Sequence, residues 1–200
     1  MITIGGRNDL APEAVSEMHQ FRYEIFVRRL GWALPLAGGI ERDEYDTDEA
    51  IYVLARDMAG RITACARLLP TTTRCMLSDL FGVLLGGKTV PSDPAMLELS
   101  RFATSVRKTG EGRVLSLSQP TMDLLDAILQ YARKHGTERL ILVTSVAIER
   151  LMLRAGYDTH RLAAPARVDG NLCVALIIEV PAECSGAEPE LYEQIESRTH

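Results

Sequence analysis

Two short apolar segments of this chain carry charges in their interiors. Arg67 lies within ITACARLLP, and Glu98 and Arg101 lie within MLELSRFA. Just upstream, residues 41–49 (ERDEYDTDE) contain six acids and one arginine. A charge in a half-buried strand is expensive unless it is paired. Three such charges beside an acidic loop predict a shared ion-pair network facing a cleft. The plainer alternative is that each charge points to solvent from its strand's polar face. Asp43, Asp46 and Asp48 raise calcium as a ligand, but D-x-x-D-x-D lacks the glycine and terminal glutamate of an EF-hand. None of His19, His135, His160 and His200 pairs with another histidine or a cysteine at ligand spacing, so no metal site is expected. Cys65, Cys75, Cys173 and Cys184 form no C-x-x-C and are expected as free thiols.

A second group is aromatic. The run FRYEIFVRRLGW (residues 21–32) ends on the chain's single tryptophan, placed after a glycine. It reads either as a core plug or as an aromatic wall for a cationic or planar ligand. A third feature is Arg107–Gly112, which matches R-x-x-G-x-G, the loop that cradles the coenzyme A pyrophosphate in GNAT acetyltransferases. Glycine-rich matches this short arise often by chance, and RVLSLS separates it from the next predicted helix.

These groups need elements to position them. Ala11–Leu30 repeats its apolar residues at helical spacing, with Pro12 in the first turn and Gly31 at the end. Leu34–Asp48 reads as loop. Ile51–Arg56 and Ile62–Leu69 form a predicted antiparallel hairpin around residues 58–61. Met76–Leu85 is a short helix, and Met96–Thr104 an alternating strand that puts Glu98, Ser100 and Phe102 on one face and Leu99 and Arg101 on the other. Pro120–Lys134 is a second amphipathic helix stopped by Gly136. Leu140–Ser145 is a buried strand, Ala147–Ala155 a helix closed by Gly156, and Leu172–Val180 the last strand. A strand–helix–strand unit over 96–145 requires a parallel crossover. The sum is an α/β protein with a mixed, twisted sheet between helices. Residues 1–181 form one domain, and 182–200 a polar tail.

Composition excludes several classes. The 200 residues are 46% hydrophobic and 24% charged, globular values that argue against disorder. No apolar run reaches the roughly 20 residues of a membrane helix. The first ten residues are too polar for a secretory signal, so a cytoplasmic location is expected. The net charge of −5 is matched by the acidic segment alone, which leaves no basic excess for nucleic acid. Among the 22 basic residues only Lys88, Lys108 and Lys134 are lysines. Arginine suits fixed bidentate contacts with carboxylates, although a GC-rich genome gives the same bias.

FRYEIFVRRLGW, ERDEYD, CARLLP and ELSRF, in that order and spacing, resemble the acyl-homoserine lactone synthases, the autoinducer synthases of bacterial quorum sensing. The resemblance spans about Phe21–Val180. It implies a GNAT-like three-layer α/β/α sandwich. It also implies a reaction: an acyl thioester acylates the α-amine of S-adenosylmethionine (SAM), and the methionine moiety then lactonises and expels methylthioadenosine (MTA). SAM is a substrate here, with no permanently bound cofactor. Carried over residue by residue, Arg22, Phe26, Trp32, Asp43, Asp46, Arg67 and Phe102 would face SAM. Glu98, Ser100 and Arg101 would serve the chemistry, with Glu98 as base, directly or through a water. Leu99, Leu142, Thr144, Ile148, Leu151 and Met152 are the acyl-pocket candidates. Their ordinary role would be core. The acyl donor is expected to be acyl-carrier protein, or acyl-coenzyme A as in a minority of the family. Arg133, Lys134, Arg139, Arg150 and Arg154 would form a basic docking patch. A monomer is expected. The alternatives are a GNAT-type N-acyltransferase using coenzyme A thioesters on another amine, and a non-catalytic binding module.

Overall fold

The computed structural model describes residues 1–32, 39–105 and 116–182, together with the backbone of Leu191–Glu193. The R-x-x-G-x-G segment and Cys184 lie outside the described residues. In chain order the elements are β1 (Ile2–Gly6), α1 (Pro12–Arg22), a π-helical segment (Tyr23–Arg29), β2 (Ile51–Arg56), β3 (Ile62–Pro70), α2 (Met76–Leu80), a 3-10 turn (Gly82–Leu85) and β4 (Met96–Thr104). There follow α3 (Gln119–Lys134), β5 (Arg139–Ser145), α4 (Val146–Arg154), β6 (Thr159–Arg161), β7 (Ala166–Val168), β8 (Asn171–Glu179) and β9 (Leu191–Glu193).

The described strands form one sheet in the order β6-β8-β5-β4-β3-β2-β1-β9, with β7 also on β8. Pairing is antiparallel from β1 through β4, parallel between β4 and β5, and antiparallel between β5 and β8. The parallel step is the one that α3 bridges, as a crossover must. Leu191–Glu193 pairs parallel with β1.

Alternation along the strands divides the core in two. Leu68, Leu97, Leu99, Leu140, Leu142, Val174 and Leu176 face α3 and α4, meeting Leu124, Leu125, Ile128, Leu151 and Met152. The opposite face packs Tyr52, Leu54, Cys65 and Leu69 on Met18, Ile25, Phe26 and Tyr45, with Met76 of α2 beside them. Farther along this face, Leu77, Leu84 and Leu85 cover Met96, Ile141 and Ala175. Helices on both faces give the three layers expected. The free thiols among the described cysteines are Cys65, Cys75 and Cys173. No described helix is long and apolar enough to cross a membrane.

Two local departures shape the site. The expected single helix over 11–30 is α-helical only to Arg22 and then widens, so that the Leu30 N–H reaches the Ile25 carbonyl five residues back. Such segments are rare and concentrate at functional sites. The second departure is a bulge in β4. Cys65 pairs with Ala103 and Arg67 with Ser100, so Ala66 alone opposes both Arg101 and Phe102. Arg101 takes φ 50°, a left-handed conformation that costs a non-glycine residue about 1–3 kcal/mol.

Candidate active site

The bulge corrects the expected facing of β4. Strict alternation put Phe102 with Glu98 and Ser100, and Arg101 opposite them. The extra residue reverses the order after Ser100. Arg101 reaches the acidic loop, whereas Phe102 packs against the α3/α4 core with Leu99. Phe102 therefore lies on the opposite side of β4 from the other residues expected to face SAM.

Of the three strand charges expected in a shared network, Arg67 and Arg101 meet the acidic loop, where Arg22 joins them, and Glu98 stays outside the ion pairs. Asp46 Oδ1 accepts Arg22 Nη1 at 2.7 Å and lies 2.8 Å from Arg67 Nη1, and Oδ2 accepts the second Arg22 nitrogen at 3.1 Å. The Asp43 N–H adds a 2.8 Å bond to Oδ2, and the Tyr52 hydroxyl a 3.1 Å bond to Oδ1. Asp43 accepts Arg67 at 2.5 and 3.1 Å and pairs with Arg101 Nη2 at 2.6 Å. Glu41 bridges Arg22 Nε and Arg101 Nε. Ser100 Oγ accepts the Arg67 Nε–H at 3.2 Å.

Burial opposes ionisation of Asp46, but the charge and hydrogen bonds of Arg22, with Arg67 and the Asp43 N–H, outweigh it and lower its pKa. Asp43 is the most open carboxylate of the three, with its side chain 17% exposed against 1–2% for Asp46 and Glu41. Asp46, with five donors around it, braces the arginines. Asp48, the third aspartate of the loop, is in none of these ion pairs. The carboxylates are taken up by guanidinium groups, and among the described residues no acid, histidine or cysteine cluster has a metal-binding arrangement.

Glu98 is held differently. Its Oε1 and Oε2 accept the Leu77 and Met76 backbone N–H groups, each at 2.7 Å, at the start of α2. Burial raises its pKa, partly offset by those two bonds and by Arg67. Two bonds fix the carboxylate plane, and each oxygen retains a lone pair. With Glu98 ionised, the set Arg22, Arg67 and Arg101 against Glu41, Asp43, Asp46 and Glu98 carries −1.

The two aromatics at positions 26 and 32 meet, and Trp32 is not a core plug. Trp32 stacks on Phe26 with centroids 4.7 Å apart, and the Trp32 N–H reaches the Phe26 carbonyl six residues back, a reach that follows the widened coil. Phe26 is buried and Trp32 remains 44% exposed. The Arg101 guanidinium lies 5.7 Å from the Phe26 ring centroid.

On the other face, β4 and β5 pair only over Met96–Leu99 and Arg139–Leu142, and the ends carrying Ser100–Thr104 and Val143–Ser145 are unpaired with each other. Of the acyl-pocket candidates, Leu99, Leu142, Leu151 and Met152 are buried in the α3/α4 core. Thr144 follows Leu142 on that face and pairs with Val174. Ile148 does not join them. It sits in the exposed first turn of α4, where its N–H caps on Ser145 Oγ, and is 41% exposed. A cavity of about 390 Å³ beside α2, lined by Thr71, Cys75, Ser78, Leu85, Lys88 and Ser92, includes none of the network residues.

Several participants escaped the residue-by-residue reading. Glu41 lies in the quoted acidic motif but was not among the candidates. Tyr52 looked like an ordinary strand aromatic. His19 carried one signal, its place three residues before Arg22 on the same helix face.

Comparison with known proteins places the chain. The family model for autoinducer synthases matches residues 7–187. The acyl-homoserine-lactone synthase of Ralstonia nicotianae is 41% identical over 189 residues, covering 92% of this chain and 89% of that protein. The crystal structure of TofI in a ternary complex with an inhibitor and MTA is 37% identical, with a TM-score of 0.76 over 90% of this chain and 91% of that one. BjaI, a coenzyme A-dependent acyl-homoserine lactone synthase solved with SAM and isopentyl-CoA, gives a TM-score of 0.79 at 26% identity over 90% and 83%. A Lactobacillus plantarum protein assigned as an N-acetyltransferase shares the fold at 18% identity and a TM-score of 0.61, covering 90% of this chain and 98% of that one. The sheet is therefore GNAT-like, and the chain belongs to the autoinducer synthase family.

Proposed function

We propose that the chain makes an acyl-homoserine lactone from SAM and an acyl thioester, with SAM over the ion network and the acyl chain on the α3/α4 face. The observation that carries this reading is the β4 bulge. It sends Arg101 to the charged side and Phe102 to the apolar side of one strand, so a charged and an apolar reactant meet across it.

SAM brings a sulfonium, an ammonium and a carboxylate. The network has three guanidinium groups to orient a carboxylate, a net negative charge, and Asp43 as its most accessible acid. Asp43, rather than the buried Asp46, is the carboxylate that meets the cationic substrate. The Phe26–Trp32 pair offers ring faces to a cation or to adenine. Glu98, held by two N–H groups and made more basic by burial, takes the ammonium proton through a water. The freed amine attacks the thioester carbonyl, backbone N–H groups at the bulge stabilise the oxyanion, and the C–S bond breaks as the second amine proton passes to the leaving sulfur, which departs as the thiol. The methionine carboxylate then attacks its own γ-carbon. The C–S bond breaks with its electron pair going to sulfur, which leaves as neutral MTA. The enzyme's part in this step is to hold a bent conformer.

The donor is acyl-carrier protein, received by the exposed Arg150 and Arg154 of α4. Two other members of the expected patch are engaged locally: Arg139 pairs with Asp93, and Arg133 bonds the Ala182 carbonyl. MTA release should be assayed with SAM and either acyl-carrier protein or coenzyme A thioesters. MTA formed together with a lactone supports the reading. Thioester consumption that does not depend on SAM would point instead to a GNAT-type N-acyltransferase acting on another amine.

A further inference from the structure

His19 lies on α1 three residues before Arg22 and is buried. It engages both backbone polar groups of one residue of the acidic loop. The Glu41 N–H donates to the His19 carbonyl at 3.1 Å, and His19 Nδ1 lies 2.8 Å from the Glu41 carbonyl oxygen. A carbonyl only accepts, so Nδ1 carries the hydrogen. These two bonds fix the Glu41 backbone against the helix. From that fixed point the Glu41 carboxylate joins Arg22 Nε to Arg101 Nε. The line from His19 therefore ends at the guanidinium of the residue that forms the bulge.

We propose that His19 is a positioning residue for the reaction assigned above: its clamp on the Glu41 backbone holds the carboxylate that couples Arg22 to Arg101, and so sets the arginine that faces SAM. The inference rests on that assignment of the reaction. Burial, followed by the nearby Arg22 charge, lowers the His19 pKa against the opposing pull of Glu41 and Asp46, which keeps the ring neutral near pH 7 and Nδ1–H the single ring donor. A side chain that only filled space would need no donor at this position.

Two variants separate the roles. His19→Asn keeps an N–H near the Nδ1 position, and His19→Leu keeps bulk without a donor. Thermal unfolding confirms that each is folded. MTA release is then measured against SAM concentration at saturating acyl thioester. The Leu variant is expected to raise KM for SAM by about tenfold with kcat changed much less, and Asn to restore KM to within about threefold. Nitrogen-15 NMR of the wild-type protein is expected to show the Nδ1–H tautomer. A folded Leu variant with wild-type KM, a folded Asn variant that fails to restore it, or an Nε2–H tautomer would each overturn the proposal. If the Leu variant does not fold, the Asn variant and the tautomer decide. A wild-type protein that releases no MTA would instead sink the assignment of the reaction, and the tautomer would still report on the clamp.

Discussion

Arg101 Nη2 lies 2.6 Å from Asp43 Oδ2, and the Arg101 backbone leaves the strand conformation, at φ 50°, at this same residue. Regular alternation would have aimed this side chain into the α3/α4 core. The strain and the ion pair are therefore linked: the bulge is maintained where it delivers a guanidinium to the acidic loop. Arg101→Lys keeps the charge but loses the planar fork that spans Glu41 and Asp43. Losing a charge-assisted hydrogen bond of about 1.5–3 kcal/mol should raise KM for SAM by roughly ten- to a hundredfold. Steady-state MTA release checks this, and an unchanged KM would remove Arg101 from SAM binding.

Asp46 is predicted to act through stability more than through contact with substrate. Asp46→Asn would leave Arg22 and Arg67 buried with one fewer negative charge, at a cost of about 3–5 kcal/mol. The pH dependence has a definite sign. The native pKa of Asp46 is lowered, so the unfolded chain binds the proton more readily. The stabilisation is fully present above the ordinary carboxyl value of 3.8 and is lost as pH falls through the native value. Urea unfolding at pH 7, 5 and 3.5 should show the wild-type advantage over Asp46→Asn shrinking at the lowest pH.

Glu98 gives a kinetic prediction. Burial raises its pKa above 4.5, and the base must be ionised to act. The acid limb of kcat against pH should therefore have its midpoint above 4.5. Glu98→Gln also sets an amide NH₂ against one of the two N–H donors of α2, and should lower kcat by about 10²–10⁴-fold. Amide formation at the wild-type rate would end the base assignment. Because the native carboxyl holds its proton more tightly than the unfolded one, ionising Glu98 costs stability as pH rises through this range.

Leu142 marks the last paired position of β5 along β4 and is buried on the α3/α4 face, where the acyl chain is proposed to lie. Leu142→Ala should cost about 2–5 kcal/mol of stability and open room beside the gap between the strands. The product lactones should then shift toward longer or bulkier acyl chains when mixed thioesters are supplied. Mass spectrometry of the products reads the shift, and an unchanged distribution would place the chain elsewhere.

The sequence alone determined the helices and the central strands, though not β1, β6, β7 or β9, and which strand charges need partners. Arg67, Glu98 and Arg101 lie in segments too apolar to carry unpaired charge, so partners had to exist; the nearby acidic run supplied them for the two arginines. Gly136 and Gly156 take φ 73° and 90° where the patterns end α3 and α4, because a left-handed cap favours a residue without Cβ. The family resemblance, carried by short motifs, pointed to the chemistry. The tertiary structure decided the facing and the division of labour. Period-two reasoning has no means of seeing an inserted residue, so the bulge that exchanges Arg101 and Phe102 became visible only with β3 alongside. The N–H groups that hold Glu98 come from Met76 and Leu77, more than twenty residues away, and backbone donors leave no side-chain signature. Asp43 and Asp46 look alike as letters, and only the packing of Tyr52 and two arginines makes one a buried brace and the other the accessible acid.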